Sequence, residues 1–425
     1  MRNLPRMIVC IVVALVLSSG AAFAAKKEEK NEYPNATRAE PKLDMASGTQ
    51  KDLNKALDLV NSNKFDEADP ILQKVLADGK ASKYARALAL EAEGQIASGK
   101  QDDETAIKNF KEAYSLDALP NNQQFQVLYN IAIMQIQSEK YEDALATLSE
   151  WFKVTGAQKA EAYALQGNAY YRLEKFQPAV DAIKKALSMS DKPSESWYQI
   201  LMASYAELEQ YDEAAKVVEQ QLAKNPTDVK LITQLATIYV KGKQDQKAVD
   251  LLAGAKQKGL LTSESDYKLM AQLYDQADKP KEGAAVLNEG FSKGIIKPSY
   301  DMYKLLGDSY ALAGDDAHAI EAYGKASGMS KDGNVDYVRG SLLMNNDRGK
   351  EAVEALRQAV AKGGLKQPGE AYILLGDAEN NANNSAGATA AWEKAKGYPS
   401  TKTMAEQRLK SGKSGKAPVT KHSKP

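Results

Sequence analysis

The chain has 425 residues, with 56 Lys and Arg against 56 Asp and Glu, so its formal net charge is zero. That balance argues against a protein built to coat nucleic acid or an anionic membrane. One cysteine and two histidines leave little material for a thiolate or imidazole metal site.

The first predicted element is a leader. Arg2 and Arg6 form a basic start, residues 7–17 are an unbroken apolar run, and Ala22-Phe23-Ala24 supplies a small-x-small cleavage pattern. The run is about half of the roughly 20 apolar residues that a membrane span needs. Residues 1–24 are therefore expected to be a signal peptide, which places the mature chain in the periplasm. Cleavage would remove two arginines and Cys10, leaving a net charge of −2 and no thiol. Residues 25–48, "AKKEEKNEYPNATRAEPKLDMASG", are charged and almost without bulky aliphatics, and predict a flexible segment.

Residues 49–400 then repeat themselves. In "AEAYALQGNAYYRLEKFQPAVDAIKKAL", 160–187, Gly167, Tyr170, Phe176, Ala179 and Ala186 mark two amphipathic helices with a break between them. The same marks recur as Tyr205, Tyr211 and Ala214, as Ala236, Tyr239 and Ala248, and as Gly307, Tyr310 and Ala319. With the small residue early in the second helix as index, the series is Ala68, Ala106, Ala144, Ala179, Ala214, Ala248, Gly283, Ala319, Ala352 and Ala388, at intervals of 33 to 38. The small residues let helix backbones approach, and the aromatics fill the wedges between them. Pro178 and Pro280 fall at starts of second helices, and Pro193, Pro226, Pro298 and Pro368 fall between repeats. No sustained alternation predicts a strand. Residues 401–425, ending "KSGKSGKAPVTKHSKP", predict a flexible basic tail.

Chemistry is hard to find along this chain. "GKS" at 412–414 lacks the earlier glycine of a phosphate loop, the position being Gln407. His318 and His422 have no second ligand at helical spacing. Acid pairs such as Glu142-Asp143 and Asp212-Glu213 recur where second helices begin, and there they face the positive end of the helix dipole. The reading is a non-enzyme with no cofactor and no metal.

The period and marks resemble the tetratricopeptide repeat, a helix-turn-helix unit of 34 residues. The resemblance implies an all-α, right-handed superhelical solenoid of about ten repeats that holds a protein or peptide in its concave groove, with no nucleic acid and no stable membrane insertion. Carried over position by position, the groove residues are Tyr129 and Ile133, then Asn168, Tyr171 and Arg172, then Gln199, then Lys230 and Thr237. The clamp by which chaperone-binding members hold a C-terminal carboxylate is incomplete, since Asn168 is preceded by Ala164 rather than lysine. Across roughly 150–260, above all "MSDKPSESWYQ", the chain also resembles periplasmic tetratricopeptide proteins associated with TonB–ExbB–ExbD systems of gammaproteobacteria. That implies an accessory role in TonB-dependent uptake of iron complexes. A scaffold in envelope assembly, serving outer-membrane proteins or peptidoglycan machinery, would use the same groove.

Overall fold

A computed structural model describes residues 31–413, so the leader, Cys10, His422 and the last residues of the basic tail lie outside the described part. Among the described residues there are helices and connecting turns but no strand. They follow one another as ten repeats, each with a first helix A and a second helix B: α1 (Ser47–Asn61) and α2 (Phe65–Ala77), α3 (Lys83–Gly99) and α4 (Asp103–Ser115), α5 (Asn121–Gln137) and α6 (Tyr141–Thr155), α7 (Ala160–Arg172) and α8 (Phe176–Ser188), and α9 (Glu195–Glu207) and α10 (Tyr211–Lys224). The series continues with α11 (Val229–Lys241) and α12 (Asp245–Gln257), α13 (Glu264–Gln276) and α14 (Pro280–Ser292), α15 (Tyr300–Leu312) and α16 (Asp316–Ser327), α17 (Asn334–Asn345) and α18 (Gly349–Lys362), and α19 (Pro368–Asn381) and α20 (Ser385–Lys396). A last helix, α21 (Lys402–Lys413), follows. The chain divides into two compact units between Ala214 and Ala215, within α10. Within each unit, A packs on B and B packs on the next A.

One backbone device makes every hairpin. The residue five before each index position adopts a left-handed conformation, from Asn63, Gln101, Glu139 and Glu174 through Lys243, Gly314 and Asn383, and so ends helix A. The next amide then donates back across the turn, as Lys175 N–H does to Tyr170 O at 2.9 Å and Asp315 N–H to Tyr310 O at 2.9 Å. Glu142, Asp143, Asp212 and Glu213 lie in the first turns of their B helices, as expected.

The index residues sit where the helices cross. All nine alanines of the series are fully buried, and Gly283 is buried as well. Twelve residues earlier, helix A is alanine or glycine in nine of the ten repeats, α9 carrying Met202 instead, and the small residue admits the side chain four after the index. A Cβ on Gly94 would stand 2.8 Å from the Phe110 ring, one on Gly307 2.5 Å from Tyr323, and one on Gly340 2.5 Å from Leu356. Where helix A has Ala56, Ala132 or Ala236 instead, its partner is Leu72, Leu148 or Leu252. The largest partners thus face glycine.

Two segments expected to be flexible are ordered. Residues 31–40 run along hairpin 3 with a tight turn at Pro34 and Asn35, where Ala36 N–H donates to Tyr33 O at 3.1 Å, and Tyr33 is buried against Phe125 and Trp151. Residues 402–413 form α21, whose Ala405 and Leu409 pack with Trp392 and Ala395. Arg408 there makes a two-pronged ion pair with Asp377, its Nε at 2.8 Å from Oδ1 and its Nη2 at 3.1 Å from Oδ2, with both side chains nearly buried. In each case one aromatic or arginine anchor outweighs a polar composition. Pro368 also proves to be the first residue of α19 rather than part of a linker.

Candidate functional site

The expected groove residues fall into three environments. Tyr129 and Ile133 are buried, at 6% and 5% exposure, among Phe125, Leu148, Trp151 and Tyr33. The reason is local: hairpin 3 carries Trp151 where its neighbours carry Ala186 or Ala113, and the Tyr129 ring lies 5.2 Å from the indole. Lys159 Nζ covers that tyrosine at 5.0 Å. Burial, followed by the charge of Glu161, raises the Tyr129 pKa. Neither residue, as it stands, presents side-chain surface to a partner.

Asn168, Tyr171 and Arg172 share the A face of α7, the first two half-buried and the arginine exposed. Tyr171 leans on Phe176, with ring centroids 5.8 Å apart. Its hydroxyl pKa is raised by burial and then by Glu207. On α9, Gln199 is half-buried and donates from Nε2 to Glu195 Oε1 at 2.9 Å. Lys230 and Thr237 are exposed on α11 in the second unit, where the threonine hydroxyl donates to Thr233 O at 2.9 Å.

The second unit carries a better-formed notch that the sequence reading passed over. Between α15 and α17 lies a cavity of about 290 Å³ lined by Tyr300, Lys304, Asp308, Tyr323, Tyr337 and Lys366, among others. Lys304 donates to Asp308 Oδ2 at 2.6 Å and the Tyr323 hydroxyl to Asp308 Oδ1 at 2.9 Å. Gly307 leaves the room that the Tyr323 ring needs. Burial raises the pKa of Tyr337, with Glu370 adding to the effect, and burial then Asp332 does the same at Tyr300. The phenols are therefore neutral hydrogen-bonding groups on an aromatic wall. The signal was in the sequence, because Lys304, Asp308 and Tyr337 occupy the same repeat positions as Ala164, Asn168 and Gln199.

A second cavity, of about 530 Å³, opens where α12, α13 and α14 meet. Its origin is a missing wedge. At two other junctions a Phe eight after the index stacks on a Tyr of the next A helix, Phe152 on Tyr163 at 4.6 Å and Phe291 on Tyr303 at 4.9 Å. Here the Phe position is Lys256, which turns to Glu289 beside Tyr267. Lys256 and Lys293, hydrogen-bonded to Glu289, hold its carboxyl down at about 2.

Buried acids are concentrated on α3. Desolvation pushes Glu91 up to about 7, where its partner is the Gln123 amide. It pushes Glu93 to about 7 as well, with Asp69 contributing and Gln73 Nε2 donating at 3.1 Å. No group of three or more His, Cys, Asp or Glu among the described residues could hold a metal ion. No helix among them is long and apolar enough to cross a membrane.

Models of the tetratricopeptide repeat match residues 160–193, in the first unit, and 337–400, in the second. Both units therefore carry tetratricopeptide repeats, which generally serve as protein–protein interaction scaffolds. Among solved structures, the chain is similar to the C-terminal part of a TPR repeat-containing protein from Cytophaga hutchinsonii, at 13% identity and a TM-score of 0.43 over 66% of this chain and 99% of that one. It is also similar to a tetratricopeptide repeat protein from Parabacteroides merdae, at 17% identity and a TM-score of 0.37 over 57% and 93%. A pentatricopeptide repeat protein from maize gives 17% and 0.42 over 88% and 55%. Comparison with curated proteins gives no match.

Proposed function

We propose that this protein is a non-catalytic periplasmic scaffold that holds a segment of another protein on the A faces of its hairpins, as an accessory to TonB-dependent uptake of iron complexes. The observation that carries the binding role is the notch between α15 and α17. Three tyrosines give apolar faces with a polar tip, and Lys304 and Asp308 offer a donor and an acceptor within one turn. Such a wall suits an extended segment contacted through aromatic surface and main-chain hydrogen bonds. Lys304 is already neutralised by Asp308, so a free carboxylate is not the favoured ligand. The face of Asn168, Tyr171 and Arg172, in the first unit, offers a separate weak contact area.

The periplasmic setting rests on the leader at 1–24, and the TonB link on the resemblance of "MSDKPSESWYQ". In that stretch Ser194 caps α9 while Pro193 and Trp197 are half-buried. A deletion strain tests the role, scored for growth on chelated and on free iron together with crosslinking to TonB. Loss of growth on chelates alone, with TonB adducts, is the expected result. Wild-type growth on every chelate, with adducts only to outer-membrane assembly or cell-wall proteins, would transfer the assignment to envelope assembly.

A further inference from the structure

The N-terminal segment is held at hairpin 3 in the way a bound peptide is held. Of residues 31–40, only Tyr33 is buried, Ala36 and Arg38 are half-buried, and the other seven are exposed. Tyr33 enters an aromatic slot edge-on to Phe125 and Trp151, with centroids at 5.3 and 5.9 Å. The slot is rigid, because the indole Nε1 donates to Phe125 O at 3.1 Å.

Five residues on, the Arg38 fork is fully engaged. Nε donates to Asp117 Oδ1 at 2.7 Å, Nη2 to Asp117 O at 3.0 Å, and Nη1 to Leu119 O at 3.0 Å and to Asn121 Oδ1. Main-chain groups join in: Asn121 Nδ2 donates to Arg38 O at 2.9 Å, and Glu32 N–H donates to Asn122 Oδ1 at 3.1 Å. Glu40 accepts from the Asn121 amide at 3.1 Å, at the N-terminus of α5, where Pro120 supplies no side-chain cap. Gly156, with φ +59, leaves room for Asn35, whose Cβ would lie 2.9 Å from a Cβ at that position.

Nothing about this binding requires the segment to be covalently continuous with α1. The connector 41–46 leaves Lys42, Leu43, Asp44 and Ala46 exposed. The contacts are side-chain anchors, Tyr33, Arg38 and Glu40, plus scattered main-chain bonds.

We infer that the edge of hairpin 3 is a receptor for a segment that turns directly after a tyrosine and carries arginine five residues later, filled in cis by the chain's own N-terminus and open to the same segment of a second copy. The tether sets the competition. A strap on a short connector has an effective concentration on the order of 1 mM, and with a free-peptide Kd on the order of 100 μM about nine-tenths of receptors are closed. Exchange between copies then follows whenever the cis strap is lost or the protein is concentrated, a low-cost route to dimers.

The test is a titration with a labelled synthetic peptide of residues 31–40, read by fluorescence anisotropy. The receptors are the full chain and the full chain with Tyr33→Ala and Arg38→Ala, whose helicity is checked by circular dichroism. The expected result is saturable binding to the double variant, roughly 10-fold weaker binding to the unaltered chain, and none of a peptide carrying the same two alanines. If the double variant fails to fold, a protease site placed at 42–44 of the unaltered chain releases the strap after folding, and the peptide is titrated into that cut, strap-depleted protein. No binding to any released receptor, or equal binding to closed and released forms, would overturn the inference.

Discussion

Replacing Gly94 by alanine tests the packing rule that sets the repeat. In an open helix position the change is favourable by about 1 kcal/mol, the propensity difference between the two residues. Gly254, in α12, is such a position, with nothing within 4 Å of a Cβ placed there. At Gly94 the new methyl would meet Phe110 Cδ1 and Cε1 at 2.8 Å, and Phe110 is 1% exposed with no free direction in which to move. Overpacking of this kind costs typically 1–3 kcal/mol, so the net change is a loss of about 1 kcal/mol, opposite in sign to Gly254→Ala. Phe110→Leu alone should also lose about 1 kcal/mol, by leaving a void beside glycine. Together the two changes recreate the Ala–Leu pairs of hairpins 1 and 3, and the double variant should be more stable than the sum of the singles by roughly 1–2 kcal/mol. Denaturant unfolding followed by tryptophan fluorescence measures all four proteins. A Gly94→Ala protein as stabilised as Gly254→Ala, or a double variant that is merely additive, would refute the rule.

Burial of Glu91 lifts its pKa from 4.5 to about 7, so the folded chain binds a proton that the unfolded chain releases. The contribution of this group is therefore fully present below about pH 4.5 and is lost as pH rises to 7, by up to roughly 3 kcal/mol. Glu91→Gln, which keeps an acceptor for Gln123, should remove that contribution in melts run between pH 4.5 and 7.5, leaving the similar one from Glu93. An unchanged slope would mean that Glu91 is solvated. Arg408→Ala should release α21 from Asp377, and a local cost of roughly 2 kcal/mol would speed cleavage within 402–413 by about 30-fold in limited proteolysis. An unchanged digestion rate would show that Ala405 and Leu409 hold the helix alone.

Much of this fold was legible because one steric requirement recurs. The index residues from Ala68 to Ala388 had to be small where helices cross, and their spacing located every turn. The two ordered end segments were not legible from composition. Tyr33 and Arg38 are single anchors in a polar stretch, and what they bind lies some 80 to 120 positions further along the chain. The groove was half legible: repeat position identified which residues lie on A faces, but whether a face stays open depends on neighbours such as Trp151, which closes over Tyr129. The notch at Lys304, Asp308 and Tyr337 sat in the same register and required only that the reading be extended to the later repeats.

The central claim is that A faces receive a protein partner, and a photo-crosslinking residue installed in living cells tests it most directly. Installed in place of Tyr171 or Tyr337, on A faces, it should give a discrete adduct with a partner protein, whereas in place of Lys184, exposed on the B helix α8, it should give none. Adducts from Lys184 equal to those from Tyr171 and Tyr337, or none from either tyrosine position, would contradict the account.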